Sequence, residues 1–183
     1  AHFFDDELRL IGSASREYPV DIPHPDWAEQ DAEKVWALAK ECIREGAEKT
    51  NTRGAVQAIG FSVQGEAVTA VDRQGNAIRA TILGMDTRTD AQNDVLRARF
   101  GARDLFNKTG MPIHTCNTLP KLMWIKENDA DIWERAHQFL LYEDFVIQKM
   151  TGEPVISKCL ASRTQMYDLQ QEEWSQEILA MLG

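Results

Sequence analysis

Cysteine is scarce, and what there is does not form a scaffold. The 183 residues hold three, Cys42, Cys116 and Cys159, far apart in the chain. An odd count argues against a disulfide framework, and neither CxxC nor a Cys/His cluster at zinc spacing is present. Long apolar runs are missing too. None reaches the length that spans a bilayer, and residues 1–20 carry charges where a signal peptide has an apolar core. There are no repeats or low-complexity tracts. G-x-G-x-x-G, the Walker P-loop, GxSxG and HExxH are all absent. Positive charge is in the minority, with 20 Lys and Arg against 29 Asp and Glu for a net charge of −9. No basic stripe stands out, which argues against a nucleic-acid partner. These absences lead to the expectation of a cytoplasmic protein that works on neither nucleic acid nor membrane.

What is present is ordinary globular sequence. At 43% hydrophobic and 27% charged, the chain has enough apolar residues for a real core and a length suited to one domain. "FFDDELRLIGSASREYPV" (3–20) reads as two extended pieces around a turn at Asp5-Asp6, with the first strand cut short. "DIPHPDWAEQD" (21–31) is a proline-punctuated loop that Trp27 is placed to pin to the domain. Asp31 is a suitable N-cap for an amphipathic helix over 32–49. Strand signals follow at 55–63, 66–72 and 77–84, and Asp72-Arg73-Gln74-Gly75-Asn76 is the hairpin turn between the last two.

From residue 89 the chain turns helical, through "TDAQNDVLRARF" and a piece at 103–109. Pro120 opens a further helix at a first-turn position, and Asp129 caps "ADIWERAH". "QFLLY" (138–142) is a buried strand, and 143–153 is a helix closed by Gly152. "SRTQMYDLQ" reads as extended, and "WSQEILAML" begins a terminal helix. Trp36, Trp124, Trp133 and Trp174 are expected to face the core from helices. Helix after strand throughout makes the class α/β.

One interruption needs a reason. The best apolar stretch, 55–63, runs into Gln64-Gly65-Glu66 before strand sequence resumes at Ala67. A polar break at the end of a buried strand is where open α/β sheets take ligands. An amide that donates and accepts, next to a carboxylate that accepts, suits a polyhydroxylated molecule. The glycine between them lets a ligand reach the backbone. The same residues also fit a surface turn or bulge.

A second polar point, Met85-Asp86-Thr87-Arg88, follows the next apolar run. If both breaks share an edge, Glu66 and Asp86 form a carboxylate pair with Arg88 beside it. Such a pair also serves glycosidases. In the plain alternative, Asp86 caps the helix that follows and Arg88 neutralises it. His114 sits in a loop, either towards a ligand or simply exposed.

Six phrases in order carry a resemblance: "PHPDWAEQDAEKVW", "AIGFSVQGEAVTAVDRQGNAIRATILGMDTRT", "KTGMPIH", "LPKLMWIKENDADIWERA", "LLYEDFVIQKMTGE" and "ASRTQMYDL". Together, from about Phe3 to Gly183, they resemble the N-terminal half of the FGGY carbohydrate kinases. That likeness implies a ribonuclease H-like domain of the actin and hexokinase type, a mixed sheet flanked by helices with its first hairpin truncated. It implies that residues 1–183 are the sugar-binding N-terminal domain of a kinase that phosphorylates a hydroxyl of a xylulose-, gluconate- or glycerol-type substrate. ATP and Mg2+ are implied for the parent, as is a homo-oligomer, a dimer.

By the same likeness Gln64, Gly65, Glu66 and Cys116 line the substrate, and Asp86 and Arg88 are expected to join them from the second polar point. Gly84 and Cys116 fall where relatives carry a tryptophan and a tyrosine, so smaller residues leave room for a longer sugar. "ASRT" (161–164) is closer to the glycerol-kinase phrase. The phosphate loop, the catalytic aspartate and the nucleotide domain are expected outside these residues, so the 183 residues alone are expected to be inactive. The rival reading is a stand-alone, non-catalytic domain that binds a sugar or a partner.

Overall fold

A computed structural model describes residues 1–183. The chain opens with a hairpin, β1 (His2–Phe4) against β2 (Leu10–Ser13), antiparallel, with a register irregularity between Phe3 and Phe4. Asp5 holds its turn by accepting from the Arg9 amide and side chain. β3 (Glu29–Gln30) leads into α1 (Ala32–Thr50). Asp31 caps that helix as its sequence requires, accepting from the Lys34 amide, and Asn51 closes it in the left-handed region.

The centre is a set of short strands, and every pairing in it is antiparallel, so residues 1–183 do not show the mixed sheet expected. β4 (Thr69–Val71) and β5 (Thr81–Ile82) are the arms of the expected hairpin, joined through the Val68↔Ile82 and Val71↔Ala77 bridges. Its turn is local chemistry. The Asp72 carboxylate accepts from the Gln74 and Asn76 amides, and Gly75 takes a φ of 76°. β3 pairs antiparallel with β5, and β6 (Gln138–Leu140) pairs antiparallel with β4.

Helices cover this centre. α2 (Asp90–Phe100) and α3 (Ala102–Thr109) follow, then α4 (Thr118–Asn128), α5 (Ala130–Arg135) and α6 (Tyr142–Thr151). α7 (Lys158–Arg163), a β7 (Tyr167–Asp168) to β8 (Glu173–Trp174) pair, and α8 (Gln176–Leu179) complete the chain. The larger apolar cluster joins Val68, Ile82, Leu96, Leu105, Leu119, Ile125 and Ile178 across the sheet and its covering helices. A smaller one around Leu83, Leu140 and Phe145 lies on the other side. No helix is long and apolar enough to cross a membrane.

Three further expectations need correction. Residues 55–63 form no strand, and Val56, Ile59 and Phe61 are exposed. Apolar composition alone makes no strand, and no segment of residues 1–183 lies alongside to bond its backbone. The stretch expected to be extended after residue 161 begins instead as the last turn of α7, which Ser157 caps by accepting from the Leu160 amide. Trp174 lies on β8, not a helix, and packs edge-on against Tyr167 with its surface 37% exposed.

Candidate functional site

Gln64-Gly65-Glu66 forms a bend immediately before the Val68 bridge. Two helices hold it. From α4, the Thr118 hydroxyl (3.3 Å) and the Lys121 ammonium (3.1 Å) both donate to the Glu66 carbonyl. Lys121 also donates to the Cys116 carbonyl, joining the loop before α4 to the bend. From the end of α7, Arg163 forms an ion pair with the Glu66 carboxylate.

The Glu66 side chain is only 10% exposed, yet apart from Arg163 no protein group donates to either of its oxygens. A buried carboxylate with spare acceptor capacity is unusual, because such groups are normally saturated. Gly84 lies against it: a Cβ added there would sit 3.4 Å from Glu66 Oε2. Gln64 is exposed, and its amide donates at 3.4 Å to Gln30, which also accepts from the Tyr142 hydroxyl. Cys116 is half-buried, and its amide donates to Nδ1 of the exposed His114.

Asp86 and Arg88 have a different setting from the one expected. Asp86 is fully buried, and it accepts from the Ala28 amide (2.7 Å), the Arg88 amide (3.1 Å) and the Arg88 guanidinium (2.6–3.0 Å). Arg88, its side chain 2% exposed, also reaches Glu29 at 2.8 Å and lies 3.8 Å from the Trp27 ring centroid and 4.8 Å from that of Trp124. Arg79 joins Glu29 at 3.1 Å from the other side. Asp86 therefore has no face left for a ligand. Glu66 and Asp86 share no partner, each being matched to its own arginine. Asp86 does not cap α2 either, since Thr89 is at that N-cap. The cluster ties the 26–30 loop to the segment after β5, with Trp27 pinned edge-on against Trp124.

Sequence reasoning missed Lys121 and Arg163. Lys121 is fully buried, and burial pushes its ammonium down to about 7; the Cys116 thiol and Asp86 partly oppose the shift and Arg88 adds to it. A folded pKa near 7 against an unfolded value near 10.5 means the folded protein binds fewer protons between those values. Stability should therefore rise with pH through that window on account of Lys121, by up to about 1.4 kcal/mol per pH unit. Urea unfolding of the wild type and Lys121→Met at pH 7, 8 and 9 checks this. The stability difference between the two should move in favour of the wild type with rising pH, and a flat difference would contradict it. Taking the difference between the two proteins cancels the contribution of Asp144, which burial raises to about 7 and which gives a slope of opposite sign up to that pH.

The geometry can now be set beside known proteins. Residues 1–183 match the family model described as the N-terminal domain of the FGGY family of carbohydrate kinases. The chain belongs to the FGGY carbohydrate kinases. It is 31% identical to a glycerol kinase of Nocardia farcinica over 186 residues, covering 98% of this chain and 37% of the relative. It is also 31% identical to a xylulose kinase of Staphylococcus xylosus, covering 95% of this chain and 36% of that one.

Among solved structures, the xyloylose kinase of Brucella ovis superposes with a TM-score of 0.91 at 29% identity, over 98% of this chain and 37% of the other. The Plasmodium falciparum glycerol kinase with ADP superposes at 0.86 with 21% identity over 99% of this chain and 38% of the other, a likeness of fold. The fold is thus that of the sugar kinases, actin- and hexokinase-like. The chain spans somewhat over a third of the length of these relatives.

FGGY kinases use ATP, generally with Mg2+. No three His, Cys, Asp or Glu side chains of residues 1–183 come together as a metal site, and no glycine-rich phosphate cradle is present. These residues do not fit the nucleotide and its metal.

Proposed function

We infer that the protein carrying residues 1–183 is an ATP-dependent carbohydrate kinase that phosphorylates a hydroxyl of a sugar or polyol, and that this domain binds the acceptor. The observation that carries the reading is Glu66, a carboxylate nine-tenths buried, ion-paired on one side and otherwise without a donor. A substrate hydroxyl supplies what the protein withholds. Gln64 adds an amide at the mouth, Gly65 makes room for Arg163, and the Cys116 loop is held to the same point by Lys121. Asp86 and Arg88 act behind this surface, fixing the wall that carries Gly84.

Phosphoryl transfer depends on positioning and on charge neutralisation around the γ-phosphate. Residues 1–183 provide acceptor positioning, and alone they should turn over no sugar. The test is ADP release by the full protein supplied with ATP, Mg2+ and in turn D-xylulose, D-gluconate and glycerol. Saturable, sugar-dependent ADP production with at least one is the expected result. Sugar binding with no ADP from any acceptor would instead support a non-catalytic binding domain.

A further inference from the structure

Gly65 and Gly84 do not need to be glycine for the backbone's sake. Six other glycines, Gly75 among them, have positive φ, and these two do not. What both leave is space, and both spaces border the same ion pair. A Cβ at position 65 would sit 3.2 Å from Arg163 Nε and 3.5 Å from its Cγ, while one at 84 would press on Glu66 Oε2. Arg163 therefore lies over Gly65 to reach Glu66.

Its backbone is fixed where it leaves α7. The Leu119 amide donates to the Thr164 carbonyl (3.0 Å), and the buried Gln165 amide donates to the Pro112 carbonyl (3.0 Å). The Arg163 side chain is 45% exposed, and its only side-chain partner is Glu66. It thus presents unused N–H donors beside the unused acceptor of Glu66.

We propose that Arg163 is a specificity-determining residue. With Glu66 it forms a donor–acceptor pair for two neighbouring hydroxyls of an uncharged polyol or sugar, one hydroxyl donating to Glu66 and the next accepting from Arg163. The pair is electrically neutral, so a sugar acid gains no net attraction from it and must compete with Glu66 for the guanidinium. Gly65 leaves room for Arg163 itself, and the opening at Gly84 beside Glu66 admits a chain longer than three carbons. This assignment rests on the acceptor-binding reading above.

The experiment is calorimetric binding to the full protein, separate from the ADP assay, with glycerol, xylitol, D-xylulose, D-glucitol and D-gluconate as probes. A neutral probe of five or six carbons should bind tightest. Arg163→Met should weaken that probe by about tenfold or more, the scale of a lost charge-assisted hydrogen bond, and Arg163→Lys should recover part of the loss. Arg163→Met leaves the buried Glu66 carboxylate without its partner and should lower the melting temperature. Binding is therefore compared well below both transitions, where each variant is folded, which separates binding from folding. Gluconate binding tightest, or equal affinity in wild type and Arg163→Met, would overturn the role of Arg163 while leaving the kinase reading standing. No binding of any probe would overturn both, and binding without ADP release would count against the kinase reading alone.

Discussion

Arg88→Ala is expected to lower the unfolding free energy by about 3–5 kcal/mol, the range for removing one partner of a buried ion pair. Asp86 would stay fully buried and keep two backbone donors, the amides of Ala28 and of residue 88, but lose the three hydrogen bonds from the guanidinium. Trp27 and Trp124 would also lose the guanidinium between them, each such contact contributing roughly 0.5–2 kcal/mol. Arg88→Lys should recover less than half, because an ammonium cannot fork onto Asp86 while lying flat on Trp27.

The urea midpoint at constant slope measures this. A loss under about 1 kcal/mol would mean that the Asp86–Arg88 pair does not hold the wall. Asp86→Leu with Arg88→Met, which removes both charges, should be much less damaging than Arg88→Ala, since the penalty comes from the stranded carboxylate.

Glu66→Ala is expected to reduce kcat/KM for the acceptor by at least about tenfold in the full protein. Hydrogen bonds to a charged group contribute roughly 1.5–3 kcal/mol each, and about 1.4 kcal/mol is one decade. The KM for ATP at saturating acceptor should stay near the wild-type value if the bend faces the acceptor, as proposed. Asp86→Asn should behave differently. Its damage should appear in the melting temperature first and in kcat/KM only through misplacement of Gly84. Equal kcat/KM in wild type and a natively stable Glu66→Ala would leave Gln64-Gly65-Glu66 as a turn with no ligand.

What the sequence disclosed follows the range of the forces involved. The Asp72–Asn76 turn was legible because its donors and acceptor lie within four residues of each other. The cap at Asp31 and the stop at Gly152 were legible for the same reason. The strand expected at 55–63 was not formed, because an apolar run states a preference for burial but not which backbone will pair with it. Arg88 as the neighbour of Asp86 was readable two residues away, but the Ala28 amide that completes the cage is 58 residues distant.

Lys121 was hidden by its setting. α4 is buried on nearly every side from Thr118 to Ile125, so a lysine there gives no amphipathic signal. Arg163 was hidden by the missed α7, although Ser157 with Leu160 three residues on is a readable start signal. Glu66 stands out in the sequence because Gln64-Gly65-Glu66 interrupts the best apolar stretch.

The central claim, that Glu66 receives acceptor hydroxyls, is tested most directly by a crystal structure of the full protein with the acceptor that supports the most ADP release. The account predicts a substrate hydroxyl oxygen within about 3.2 Å of a Glu66 carboxylate oxygen, with the sugar chain passing Gly84. A sugar bound with no atom in hydrogen-bonding reach of Glu66 would contradict it.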